Sequence, residues 1–192
     1  MKRKLFRIFA TALILGVCIF EARAQDPEFT QFYGNPIYTN PAFAGAGNGC
    51  GGRFIVAYRN QWPSLSRTYT TTSASFDRHY DNLAGGIGIL VTNDVAGVGL
   101  LTTRTVSGIY SYEIPVNRDL TVRAGVQASF YQKSIDFSKL TFSDMIEPRV
   151  GFVNQTSEPI PNQSISFPNF STGVLAYTQK YYGGLAIHNL IE

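Results

Sequence analysis

From Arg53 onward, apolar and polar residues alternate with a period of two, the spacing that puts successive side chains on opposite faces of a strand. Segments rich in Thr, Val, Ile, Tyr and Phe are separated by clusters of Gly, Pro, Asn and Asp, which close strands and open turns. The pattern predicts strands over about 53–60, 67–78, 84–92, 100–114, 119–132, 169–178 and 181–188, and no amphipathic helix. One segment shows the content of the two faces. Leu120, Val122, Ala124, Val126, Ala128 and Phe130 are all apolar, whereas Thr121, Arg123, Gly125, Gln127, Ser129 and Tyr131 are polar, small or amphipathic. The fold class is all-β.

Several segments reach or exceed the ~9–11 residues of a tilted transmembrane strand, longer than the five or six usual in soluble sheets. Short connections at 79–83, 115–118 and 179–180 alternate with connections at 61–66, 93–99 and a long one at 133–168. Outer-membrane barrels place short turns on the periplasmic side and longer loops outside, and this alternation fits if the N-terminal arm is periplasmic. Tyr58, Trp62, Tyr110, Tyr112, Tyr177, Tyr181 and Tyr182 sit near strand ends, where an amphipathic ring can bridge lipid and water. Together these features predict an antiparallel transmembrane β-barrel of the outer-membrane type. Alternation alone is also compatible with a soluble β-sandwich.

Ahead of the strands lie two segments of different texture. Lys2, Arg3, Lys4 and Arg7 precede an apolar run from Ile8 to Phe20, followed by Ala22-Arg23-Ala24. This is the layout of a cleaved signal peptide over residues 1–24, and the run is shorter than the ~20 residues of a spanning helix. Residues 25–52 form an arm or plug segment with two Asn-Pro steps, each of which favours turn initiation, and residues 53–192 form the barrel wall. The whole sequence carries a formal charge of +3, but residues 25–192 hold 11 basic and 12 acidic residues, a charge of −1. The basic excess belongs to the export signal, which removes the argument for a nucleic-acid partner. Cys18 lies within that signal and Cys50 has no partner in residues 25–192, so no disulfide staple is expected there.

The chemical inventory is thin. His79 and His188 belong to no zinc-binding spacing. Ser75, Asp77 and His79 alternate along one strand face, an arrangement that supplies the residue types of a triad but not its geometry. Gly85-Gly86-Ile87-Gly88 precedes no helix and so makes no dinucleotide fingerprint. Asn93-Asp94 with Gly97 reads as a tight loop, and Arg78, Arg104 and Arg123 read as lumen-lining charge. The Asn-x-Ser/Thr sequences at Asn154, Asn162 and Asn169 read as chance. The chain is therefore read as a non-enzyme with no cofactor and no metal.

The ordered motifs resemble a known family. Gln25-Asp26-Pro27-Glu28-Phe29-Thr30-Gln31-Phe32, Asn35-Pro36, Asn40-Pro41-Ala42-Phe43-Ala44-Gly45, Tyr58-Arg59-Asn60-Gln61-Trp62, the Asn93-Asp94 to Gly97 segment, Tyr110-Ser111-Tyr112, Leu140-Thr141-Phe142-Ser143-Asp144 and Tyr182-Gly183-Gly184-Leu185-Ala186 resemble, in order, the PorP/SprF family of the type IX secretion system of Bacteroidetes. The resemblance implies a non-enzymatic outer-membrane barrel that supports secretion or surface attachment of large cargo proteins, including adhesins used in gliding motility. Its implied partners are outer-membrane lipid, type IX components and a cargo protein or its C-terminal domain. It offers Asn35, Pro36, Asn40, Pro41, Phe43, Gly45, Arg59, Gln61, Trp62, Asp94 and Gly97 as candidate residues of plug and rim. Bacterial single-chain barrels have even strand numbers from about 8 upward, so the seven strands read here are expected to be about half of a wall truncated at its C-terminus. A passive diffusion channel and a secreted soluble sandwich that binds a ligand are the rival readings.

Overall fold

β-Branched and aromatic side chains pack well on a pleated surface, and the alternating segments form strands in the computed structural model. These are β1 (Arg53–Gln61), β2 (Tyr69–Tyr80), β3 (Gly85–Ala96), β4 (Leu101–Pro115), β5 (Thr121–Ile135), β6 (Ile146–Glu147), β7 (Gly151–Phe152), β8 (Gln163–Tyr177) and β9 (Tyr182–Ile187). The structure describes residues 29–47, 51–64, 69–97, 101–136, 145–147, 149, 151–152 and 163–191. Residues 1–28, Cys50, the 140–144 motif and the Asn154 and Asn162 sequences lie outside the described residues.

Seven strands form one antiparallel sheet in the order β1-β2-β3-β4-β5-β8-β9, curled into a half-barrel, while β6 and β7 pair separately within the long connection. Apart from β5 and β8, which the long connection joins, neighbouring strands of the sheet are consecutive in sequence, so local hairpins set their register. The soluble sandwich needs two sheets packed face to face. The described wall is instead a single sheet whose large apolar side chains point outward. Across it, Phe54, Phe76, Ile89, Gly108, Ala128 and Phe170 lie in one register row, and Val56, Ala74, Val91, Val106, Phe130 and Pro168 in another. Phe54, Val106, Val126 and Phe130 are each more than half exposed. The opposite face buries Thr71, Ser73, Ser75, Thr105, Ser107, Gln127, Ser129 and Ser171. A sheet with polar residues in and apolar residues out inverts the soluble arrangement and matches a wall in contact with lipid.

Several strands run further than the sequence pattern indicates. β3 continues through Asn93 and Asp94 to Ala96, so these two residues extend the strand instead of forming a tight loop. They pair with Arg104 and Thr103 near the rim, where polar side chains reach water. β8 begins at Gln163 despite Pro168. Its ladder with β9 runs only to Thr172, so the proline lies where that side of the strand is open, the setting in which proline is tolerated in a sheet.

Two of the three arginines assigned to the lumen lie elsewhere. Arg78 and Arg104 are exposed on the outward face near opposite ends of their strands, and only Arg123 points inward. Arg78 lies over the Tyr80 ring at 5.3 Å. At the rims a long cationic side chain can carry its charge to water while its stem stays on apolar surface. Tyr80, Tyr110 and Tyr112 gather on the outward face beside the short turns, as an interfacial girdle requires. Tyr177 turns inward instead and donates to Glu113.

Candidate functional site

Each Asn-Pro step of the arm starts a short helical turn. Pro36–Thr39 is a single α-turn, and Pro41–Phe43 is a 3-10 turn with Asn40 as its cap. Proline suits the first helical position because the N–H it lacks would be unsatisfied there anyway. The Asn40 side-chain oxygen accepts from the Ala42 N–H at 2.8 Å. These turns keep the arm compact enough to lie within the curl of the sheet, where Ile37, Ala44, Leu90 and Ile109 form a small buried core with Tyr38 and Phe43 packed against it. Leu90 and Ile109 are apolar positions of a largely polar inner face where the arm covers it.

The wall is shaped to receive the arm. His79, Gly86, Ser111, Gly125, Gly173 and Ala186 stand in one inward register row across β2, β3, β4, β5, β8 and β9. Four of the six are glycine or alanine, so the row forms a shallow trench at right angles to the strands. A Cβ on Gly125 would come within 2.6 Å of Ala42 Cα, and one on Gly86 within 2.6 Å of Gly45 Cα. Those contacts are between main chains, and no side-chain rotation can relieve them. Gly45 itself has φ +68°, a backbone conformation that glycine reaches without Cβ strain.

Two ion pairs, each between residues directly opposite on adjacent strands, fasten the arm. Arg53 donates to Asp77 from Nε at 2.9 Å and from Nη2 at 3.0 Å, and Asp77 also accepts the Gly45 N–H at 2.8 Å. Asp77 is 1% exposed, so this two-pronged pairing offsets the cost of burying a carboxylate. Arg123 pairs with Glu113 and donates from Nη1 to the Ala44 carbonyl at 3.1 Å. Ser111 donates to the same carbonyl at 2.6 Å. The two pairs hold the arm at Ala44 and Gly45.

The other end of the arm is held by amides. Asn35 donates to Ser73 and accepts from Ser75. Asn40 Nδ2 lies 3.3 Å from the carbonyls of both Val174 and Leu185, on β8 and β9, and His188 Nε2 lies 3.1 Å from the Thr39 carbonyl. Replacing Asn40 with Ala removes the cap and both wall contacts. The expected loss is about 2 kcal/mol of stability, measurable as a lower urea midpoint for the folded protein.

The eleven candidate residues fall into two groups. Asn35, Pro36, Asn40, Pro41, Phe43 and Gly45 come together inside the curl. Arg59, Gln61, Trp62, Asp94 and Gly97 lie at the opposite end of the wall, beside the longer connections. There Arg59 donates to Gln61 at 2.9 Å, Thr71 donates to Asp94 at 2.6 Å, and Trp62 meets Tyr69 edge to face at 5.7 Å. Trp62 and Gly97 both have positive φ, +57° and +70°.

Ser75, Asp77 and His79 do share the inward face, but each bonds to a different partner. Ser75 engages Asn35, Asp77 engages Arg53, and His79 lies beside Arg123 and Asp81. The pairs Arg53–Asp77 and Glu113–Arg123 are absent from the sequence-derived candidates, although strand phase makes all four residues inward-facing. The Glu113–Arg123 pair flanks one tight hairpin and was the more readable of the two.

No curated protein and no solved structure shows a match to the chain. Residues 21–192 match the family described as type IX secretion system membrane protein PorP/SprF. An inward arm, a polar concave face and an outward apolar face are thus the architecture of a chain that belongs to the PorP/SprF family of type IX secretion system membrane proteins.

Proposed function

We propose that this protein is a non-enzymatic outer-membrane scaffold through which the type IX system secretes, or fixes at the cell surface, large cargo proteins such as gliding adhesins. The family match over residues 21–192, borne by a sheet whose apolar face points outward, carries this reading. Residues 1–24 direct export and are removed, the arm fills the lumen from the periplasmic side, and residues 53–192 form wall. The short turns at 81–84, 116–120 and 178–181 then face the periplasm, with the connections at 62–68, 97–100 and 136–162 outside. The connection at 136–162 gives the partner its largest external surface, since connections of that length are usually functional. Asn35, Pro36, Asn40, Pro41, Phe43 and Gly45 seat the arm, while Arg59, Gln61, Trp62, Asp94 and Gly97 shape the outer rim. The lipid-facing rows contact the bilayer, and the cargo's C-terminal domain is the element handed to the machinery.

Deleting the gene tests this reading. The expected result is loss of a particular type IX cargo from the surface or medium, with other outer-membrane proteins unchanged and no cargo-independent conductance of the purified protein in planar bilayers. Steady conductance with undisturbed cargo export would instead establish a diffusion channel.

A further inference from the structure

We infer that the segment Asn40–Gly45 is a permanent cross-strut that holds the curl of the wall, and is not a stopper that leaves the lumen while the protein works. The inference depends on the membrane-wall fold and not on which cargo the protein serves.

The strut runs across the strands, and its contacts reach both flanks of the sheet. Asn40 bonds to carbonyls of β8 and β9. Ala42 lies against Gly125 of β5, the Ala44 carbonyl takes bonds from Ser111 of β4 and Arg123 of β5, and Gly45 meets Gly86 of β3 and Asp77 of β2. Six strands are thus tied to four residues within one six-residue segment of the arm. A rigid element bonded across strands from β2 to β9 fixes their mutual curvature, in addition to what strand number, tilt and stagger impose.

A removable stopper would need a surface that loses little on its departure. Here Asp77, Ser111 and Arg123 are 1%, 0% and 3% exposed with the strut seated against them. Withdrawal would break the Ser111 and Arg123 bonds to Ala44 and the Asp77 bond to Gly45. It would also leave the apolar side chains of Leu90 and Ile109 facing an empty polar lumen, with the loss of burial that entails. Where the wall meets the strut, main chain packs against main chain at Gly86 and Gly125, a contact too close for the loose fit of a displaceable lid.

Full-length protein folded into detergent micelles or lipid tests the inference. Gly125→Val and Gly86→Val, which block the seat, are expected to lose the compact species that shifts mobility on heating in gel electrophoresis. Gly108→Val places the same side chain on β4 facing outward, where a Cβ meets nothing within 4 Å, and is expected to keep that species. Because a valine can also disturb the wall directly, a second measurement separates the two effects. A protease site inserted in the exposed Gly51–Gly52 linker is cut after folding, and the protein is then titrated with urea. A strut leaves the wall at the urea concentration at which the sheet signal disappears. Release of the cut arm from a wall that keeps its sheet signal and mobility would overturn the inference, as would wild-type folding of Gly125→Val.

Discussion

Replacing Arg123 with Leu is expected to lower the unfolding free energy by about 2–3 kcal/mol, the range for leaving hydrogen-bonding groups without a charged partner. Arg123 is 3% exposed and is bound to Glu113, the Ala44 carbonyl and the His79 ring. Leucine matches much of its apolar bulk, so the loss comes from Glu113, which keeps only the Tyr177 hydroxyl at 3.3 Å among the partners seen here. The Ala44 carbonyl retains Ser111 and contributes less. Removing both charges together, as Arg123→Leu with Glu113→Gln, is expected to restore a large part of the stability, because no charge is left without its counterion. Urea unfolding of the two variants in the same lipid checks both statements. Equal losses in the single and double variants would show that the guanidinium acts chiefly through the arm.

Ala128→Arg is the second large effect. Ala128 is exposed on the outward face at the centre of β5, between Gly108 of β4 and Phe170 of β8. An arginine facing lipid near the midplane costs about 2–4 kcal/mol, falling to about 0–1 near the interface. Arg78 and Arg104, on the same face but nearer the strand ends, already occupy the tolerated depth. Arginine at Val122, close to the short turn, is therefore expected to cost much less than at Ala128. Equilibrium unfolding into lipid vesicles measures the gradient. In a detergent-free aqueous fold the two substitutions would instead be equally mild.

Much of this architecture is legible in the sequence because a strand pattern is local. The alternation from Val122 to Phe130 assigns the two faces correctly, and strand order follows from hairpins everywhere except between β5 and β8. What the pattern misses involves partners far apart in the chain. Asp77 reads as one acidic residue in a Ser-Asp-His series, and only folding brings Gly45 and Arg53 to it. The trench is similarly dispersed: Gly86, Ser111, Gly125 and Gly173 come from four segments and acquire meaning only in register. Charge alone suggests the lumen for Arg78 and Arg104, whereas phase with Phe76 and Val106 puts them outside. Polarity near a strand end reports depth in the bilayer as much as facing. Pro168 hid the first part of β8 for a related reason, since a proline that breaks a doubly paired strand is harmless beside an open edge.

The central claim is that the sheet presents lipid outside and an arm-filled polar face inside. Its most direct test is a nitroxide scan of β5 in the membrane-embedded, cysteine-free full-length protein, one label at a time from Val122 to Phe130, read by collision with oxygen dissolved in the bilayer and with a water-soluble nickel reagent. The account predicts a period of two, with high oxygen accessibility at Ala124, Val126, Ala128 and Phe130, and immobile labels shielded from both reagents at Gln127 and Ser129. Nickel accessibility at Val126, Ala128 and Phe130, or no alternation along the strand, would contradict it.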